Sequence, residues 1–225
     1  MFRVALKGLL GHKLRFALTT LAVVVGVTFL AGSFVLTDSI QAAFDDLFDD
    51  VYAEVDVYVQ APSPIDDITT AQPGQGPSVP AELLDDLRDV EGVAEATGYV
   101  EGLAQFLDEA GDPVGQEGPP RLAESYDPLG PVDIAEGRAP EGPGEVAVDR
   151  GTASLLDVEL GARTDVFVGG EIHTFEVVGL TSFGDSDNLL GASIATFDLA
   201  SAQELLGMEG RFTALAATAD EGVDA

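Results

Sequence analysis

Hydrophobic positions follow different periods along this chain, and each period predicts a different element. Residues 16–37, FALTTLAVVVGVTFLAGSFVLT, run for 22 positions without a charge. At about 1.5 Å of rise per residue, a helix of that length reaches roughly 33 Å, enough to cross a hydrocarbon layer of about 30 Å. Past this run Ile40, Phe44, Leu47, Phe48 and Val51 recur at helical spacing, with Asp45, Asp46, Asp49 and Asp50 on much of the remaining surface. If the helix is continuous over 14–52 it is roughly 58 Å long and forms a stalk; the other reading is a separate amphipathic helix packed on its own domain. The period then falls to two. Val55, Val57 and Val59 alternate with Asp56, Tyr58 and Gln60, the pattern of a strand with one buried face.

The flanks of the apolar run are lopsided. Arg3, Lys7, Lys13 and Arg15 precede it and no acid appears before Asp38. Short basic flanks stay in the cytoplasm, so the N-terminus is expected inside and the residues after about 38 outside the cell membrane. Phe2, Ala5, Leu6, Leu9 and Leu10 fall at helical spacing, with Arg3 and Lys7 on another face, which predicts a short interfacial helix within 1–13. A cleaved signal peptide also has a basic start, an apolar middle and small residues such as Ala31, Gly32 and Ser33 near its end. Its apolar core spans only about 7 to 15 residues, so the length here favours a retained span over 14–37.

Residues 62–80 carry Pro62, Pro64, Pro73, Pro77 and Pro80 with Gly74 and Gly76, a loop composition. Residues 81–90 read as a helix begun by Pro80, with Leu83, Leu84 and Leu87 inward. Residues 93–107 read as one or two strands. The Gly- and Pro-rich stretch 115–144 marks a change of subdomain. A strand is expected over 145–149, a helical turn over 152–156, and strands over 165–168 and 171–180 joined by Gly169 and Gly170. Glycines at both hairpin positions tolerate the positive φ such turns need. A helix over 198–206, with Asp198 near its cap, and a strand over 211–218 complete the pattern.

Charge sharpens the partition. Residues 16–225 hold 6 basic against 40 acidic side chains, a net of −34, and no lysine follows Lys13. A segment so acidic is repelled by nucleic acid and by anionic lipid; the excess reads as serving solubility, the other reading being a cation-binding role. No cysteine is present, so a packed core has to supply the stability.

Reaction chemistry is sparse. His12 and His173 are the two histidines, on opposite sides of the expected membrane, and His173 sits in a strand pattern without a local partner. Residues 191–195 resemble a nucleophile elbow only loosely, lacking its final glycine. Asp185, Ser186, Asp187 and Asn188 begin like a calcium loop, but Leu189 takes the fifth position and no glycine takes the sixth. Neither a phosphate loop nor a dinucleotide-binding glycine motif occurs. No residue is assigned a catalytic, cofactor-binding or metal-ligating role.

Two stretches carry a resemblance. Lys13, Leu14 and Arg15 run into LTTLAVVVGVTFLAGSFVLTDSI, which looks like the first transmembrane helix of FtsX-like, MacB-type ABC transporter permeases. The later stretch IAEGRAPEGPGEVAVDRGTASLLDVELGARTDVFVGGEIHTFEVVGL resembles their extracytoplasmic domain. Its features are Gly137 with Arg138, a strand over 145–148, a short helix over 153–156, Leu160 with Gly161, and a hairpin ending in Val177, Val178 and Gly179. The resemblance implies an α+β fold: a transmembrane helix over 14–37, a stalk over 38–52, and a MacB-like core domain over 53–225. Within that domain it implies an α/β part over 53–112 and a β-rich part over 120–210. It implies a non-enzymatic permease subunit that pairs with a cytoplasmic ABC ATPase and with a second permease copy or an identical subunit. Such a subunit passes nucleotide-driven motion through the stalk to the outside. Family members carry further transmembrane helices beyond this domain, so the sequence is expected to be their N-terminal part. The alternative is a single-pass anchored extracytoplasmic binding or scaffold module with no ATPase partner.

Overall fold

The computed structural model describes residues 13–51, 55–62, 77–115, 118–184, 186–189, 191–220 and 222. The chain divides into two compact units, Met1–Asp49 and Asp50–Ala225. The expected interfacial helix before residue 13, and most of the Pro-rich loop after residue 62, lie outside the described residues.

The first unit is organised on one helix, α1 (Lys13–Val51, 39 residues). It does not break after the apolar run, so the span and the segment beyond it form one continuous helix. Its stretch Ala17–Val35 has a mean hydropathy of 2.1, and none of it is buried within the protein. A helix that is apolar all round is stable where lipid or other helices cover it, because its backbone polar groups are satisfied internally. At the end of that stretch the Thr37 hydroxyl donates to the Ser33 carbonyl oxygen at 3.0 Å, so this polar side chain is also satisfied within the helix.

The second unit holds twelve strands and three short helices among its described residues: β1 (Val57–Gln60), β2 (Val79–Pro80), α2 (Glu82–Arg88), β3 (Val93–Tyr99), β4 (Glu101–Leu107), β5 (Arg121–Ser125), β6 (Asp133–Gly137), β7 (Glu145–Asp149), α3 (Arg150–Leu156), β8 (Arg163–Val168), β9 (Glu171–Ser182), β10 (Ser193–Phe197), α4 (Leu199–Leu206), β11 (Arg211–Phe212) and β12 (Ala214–Ala219). Seven strands form one sheet in the order β6-β9-β7-β10-β5-β4-β8. The further pairing of β8 with β9 closes six of them into a ring, and β6 continues along the second half of β9. Closure removes the free edges an open sheet would leave. The interior is lined by apolar side chains: Phe106, Val146, Val148, Val166, Val177 and Phe197 are fully buried, and the Phe175 and Phe197 rings lie 4.9 Å apart. A smaller antiparallel sheet, β1-β12-β3, has β12 at its centre.

The hairpin between β8 and β9 turns through Gly169 (φ 62°) and Gly170 (φ 90°) and brings Val168 opposite Glu171. The short helices are pinned by aspartates. Asp149 accepts from the Thr152 amide at 2.8 Å and Asp198 from the Ser201 amide at 3.2 Å. Gly102 lies under α4; a Cβ there would come within 2.5 Å of the Leu206 side chain, which would have to shift, so glycine leaves room for Leu206 to pack on β4 as it does.

Several expectations need correction. The helix expected over 81–90 is Glu82–Arg88, and Leu83 points outward at 43% exposure while Leu84 is buried. At about 100° per residue, Leu83 and Leu84 lie on the two borders of the stripe they form with Leu87, and the helix is turned so that the Leu84 border packs inward while the Leu83 border is left partly exposed. The stretch 115–144, whose Gly and Pro content marks a change of subdomain, contributes β5 and β6 to the large sheet, two strands not assigned individually from its composition. Residues 193–197, part of the stretch with only a loose likeness to a nucleophile elbow, form β10; all five are buried, so the strand has no alternation to read. The strand expected over 211–218 is broken at Thr213, whose hydroxyl oxygen accepts from the Glu101 amide at 2.9 Å.

Candidate functional site

Two concave features of the second unit meet at one residue, Glu101. The larger is an open cleft of about 700 Å³ between β4, β8 and the end of α4, with Leu103, Phe167, Leu206 and Met208 as apolar lining and Glu101, Gln105 and Arg121 as polar lining. Leu103 and Phe167 are 47% and 45% exposed. The Gln105 amide is already used, donating to the Phe106 and Val114 carbonyl oxygens at 2.7 and 2.8 Å. Both the size and the mixed lining are those of a small-molecule or side-chain pocket.

The smaller feature is a cavity of about 60 Å³ where the small sheet covers the outside of the ring. Alternation sends Ala123, Ala195 and Phe197 into the main core and therefore sends Glu124 and Thr196 to the opposite face. Glu101 on β4 is the direct cross-strand partner of Glu124 on β5, and Thr196 on β10 is the next residue in the same row. From the small sheet, Tyr58, Tyr99 and Ala216 line the same space.

The polar groups of this seam are connected. The Thr196 hydroxyl donates to Glu124 Oε1 at 3.2 Å. Thr97 Oγ1 donates to Asp127 Oδ2 at 2.7 Å, and the Leu129 amide donates to Asp127 Oδ1 at 3.0 Å. The Tyr58 and Tyr99 hydroxyls are hydrogen-bonded to each other, and Gln60 Nε2 donates to the Tyr58 oxygen at 3.1 Å. The Val100 amide donates to Ser125 Oγ at 3.0 Å, at the point where the chain leaves the small sheet for the ring.

Burial and like charge act together here. Glu124 is half-buried as a residue, with its carboxyl deep among other atoms. Desolvation pushes its pKa up to about 8, with the Glu101 and Asp149 charges adding to the rise and the Thr196 hydrogen bond opposing it. Burial raises Glu101 as well. Tyr58 is raised by burial first and by the Glu101 charge after it, against the Tyr99 and Gln60 hydrogen bonds.

The motif residues that carried the family resemblance are explained by packing. Gly137, at φ 79°, lies against the backbone of Val178 and Gly179, where a Cβ would collide. The Arg138 guanidinium grips Glu145 through two contacts of 2.8 and 2.5 Å. Gly161 donates its amide to the Val177 carbonyl at 2.8 Å. His173 borders a shallow cleft with Ser201 and Glu204, and its ring contact is to Phe175; among the described residues no hydrogen bond joins it to either. Asp187 faces Arg150 at 3.6 Å, and the Asn188 side chain accepts from the Gly191 amide at 3.0 Å, so this segment is a turn. Among the described residues no group of three or more His, Asp or Glu side chains is placed to hold a metal ion. The Glu101 and Glu124 pair was not foreseen. Its members are 23 positions apart in sequence, one in a stretch that reads as one or two strands and the other in the Gly- and Pro-rich stretch 115–144.

An exposed apolar helix joined to an α+β body is the layout of a membrane-anchored domain. Over residues 16–225 the sequence matches the family described as "MacB-like periplasmic core domain". The chain belongs to that family, whose members form the extracytoplasmic part of MacB- and FtsX-like ABC transporter permeases. The structure is similar to the periplasmic region of MacB from Actinobacillus actinomycetemcomitans, with a TM-score of 0.50 and 10% identity, over 79% of this chain and 80% of that one. It also matches the extracellular domain of the noncanonic ABC-type transporter YknZ from Gram-positive bacteria, with a TM-score of 0.47 and 16% identity, over 71% of this chain and 81% of that one. No curated protein sequence matches the chain.

Proposed function

We propose that this chain acts as a membrane-spanning permease component of an ABC transporter, with its N-terminus in the cytoplasm. It passes ATPase-driven motion to the extracytoplasmic domain. The observation that carries this reading is α1: one unbroken helix holds the apolar stretch Ala17–Val35 and continues to Val51. A continuous helix resists bending, so a tilt or shift at one end is transmitted to the other, which a span followed by a loop would not do. The partners are a cytoplasmic ATPase subunit, a second permease copy and the bilayer. Hydrolysis belongs to the ATPase subunit.

Co-purification of the tagged chain from native membranes, with its intact mass, tests this. A full-length mass near 23.3 kDa with a bound ATPase is the expected result. The same mass with no ATPase overturns the transport reading and leaves an anchored module. Phe44→Asp with Leu47→Asp, on the stripe of the stalk, is expected to uncouple ATPase stimulation while leaving the chain in the membrane.

A further inference from the structure

We propose that Glu101 and Glu124, opposed on β4 and β5 beneath the small sheet, form a proton-binding site: one proton held between two carboxyls latches the small sheet onto the ring.

The geometry carries the argument. Directly opposed residues of antiparallel strands have Cβ atoms about 4.5–5.5 Å apart, which brings two glutamate side chains on one face into mutual reach. Two like charges at that separation are unfavourable even in water, and here both border a cavity of about 60 Å³ with room for little solvent, Glu101 also lining the open cleft. The charged and titratable groups around the pair do not relieve this. Tyr58 and Tyr99 face it from the small sheet, Asp127 from the segment after β5, and Asp149 from the end of β7. Thr196 supplies one neutral hydrogen bond. Arg121 lies in the neighbouring cleft, which Glu101 also lines. Retaining one proton between the two carboxyls is the arrangement that removes the repulsion.

The seam is also where a change of charge matters most to the fold. The chain crosses from β3 to β4 at Val100, so Tyr99 belongs to the small sheet and Glu101 to the ring. The Glu101 amide is tied to Thr213, which stands at the start of β12. Loss of the shared proton leaves two carboxylates directly under that junction. Its direction follows from linkage. Glu124, raised to about 8, binds its proton more tightly folded than unfolded. Stability contributed by the bound proton is complete below the ordinary carboxyl value of 4.5 and is lost as pH rises toward about 8, by up to about tenfold in the folding equilibrium per pH unit. A domain outside the cytoplasm meets external pH directly, so the latch would register it.

The test uses the full chain in detergent micelles. Infrared spectra from pH 5 to pH 9 are expected to show a protonated-carboxyl C=O band that titrates near pH 8 and is missing in Glu124→Gln. Over the same window, hydrogen-exchange protection of the β3 and β12 amides is expected to fall at least tenfold in the wild type and to hold steady in Glu124→Gln. Should that variant fail to fold, Glu101→Gln serves instead and is expected to move the band's midpoint down by a pH unit or more. Absence of the band above pH 6 in the wild type overturns the proton site. A band that titrates with no change in β3 and β12 protection overturns the latch.

Discussion

The apolar stretch of α1 and the wall of the β-ring draw on the same side chains, mainly Val, Ala, Leu and Phe, and treat them in opposite ways. In α1, Val23, Val24, Val25 and Phe29 are each more than half exposed, whereas in the ring Val146, Val148, Val166 and Phe197 have no exposed surface. The difference lies in the backbone. A helix satisfies its own N–H and C=O groups wherever it stands, so it can offer an apolar surface to lipid. A strand needs neighbours on both edges, and six of them satisfy one another only by closing. Hydrophobicity alone therefore does not decide where a segment lies; the partner that satisfies its backbone does.

The comparison can be broken most severely in the ring. Phe197→Ala removes a fully buried side chain packed on Phe175, and is expected to cost about 3–5 kcal/mol, read as a fall in the unfolding midpoint of the full chain in detergent. Membrane association should survive in the fraction that stays folded, because α1 is untouched. Val25→Asp makes the reciprocal cut. A carboxylate near the middle of the apolar stretch raises the insertion cost by about 2.5–3.5 kcal/mol, so alkaline extraction should release more of the chain from membranes. Equal release of the variant and the wild type would sink the reading of Ala17–Val35 as a span.

The smallest effect is expected at the surface, where Arg138 holds the Glu145 carboxyl down to about 2. The sign is opposite to that at the buried seam. A depressed acid contributes stability above its ordinary value of 4.5, and loses it as pH falls toward about 2. Glu145→Gln should leave the unfolding midpoint at pH 7 almost unchanged, since exposed pairs are screened, and should flatten its decline below pH 4. If the variant instead lost much stability at pH 7, the pair would be structural in a way its exposure does not explain.

Sequence patterns were readable where one physical constraint acts locally. The hairpin at Gly169 and Gly170 was legible because only glycine pairs easily with two positive φ values, and the cap at Asp198 because a short acid satisfies a free helical amide. The strands β5 and β10 were not. β5 is five residues inside a Gly- and Pro-rich stretch, and β10 is buried on both faces. Their identity depends on each other, since they pair in parallel across about 70 intervening positions. The seam acids were hidden for the same reason, because Glu101 and Glu124 become neighbours only once β4 and β5 pair.

By itself the sequence determined that one segment is long and apolar enough to cross a membrane, that the rest is strongly acidic and cysteine-free, and that its motifs match a MacB-like domain. These are properties of composition, length and local backbone preference, which need no partner. Only the tertiary structure decided that α1 runs unbroken past the apolar stretch, that six strands close into a ring, and that two carboxyls meet under the small sheet. Each of those depends on pairing or packing between residues far apart in the chain, or on the choice between continuing and ending a helix. Local preference is too weak to settle such choices against the hydrogen bonds and burial that the whole fold supplies.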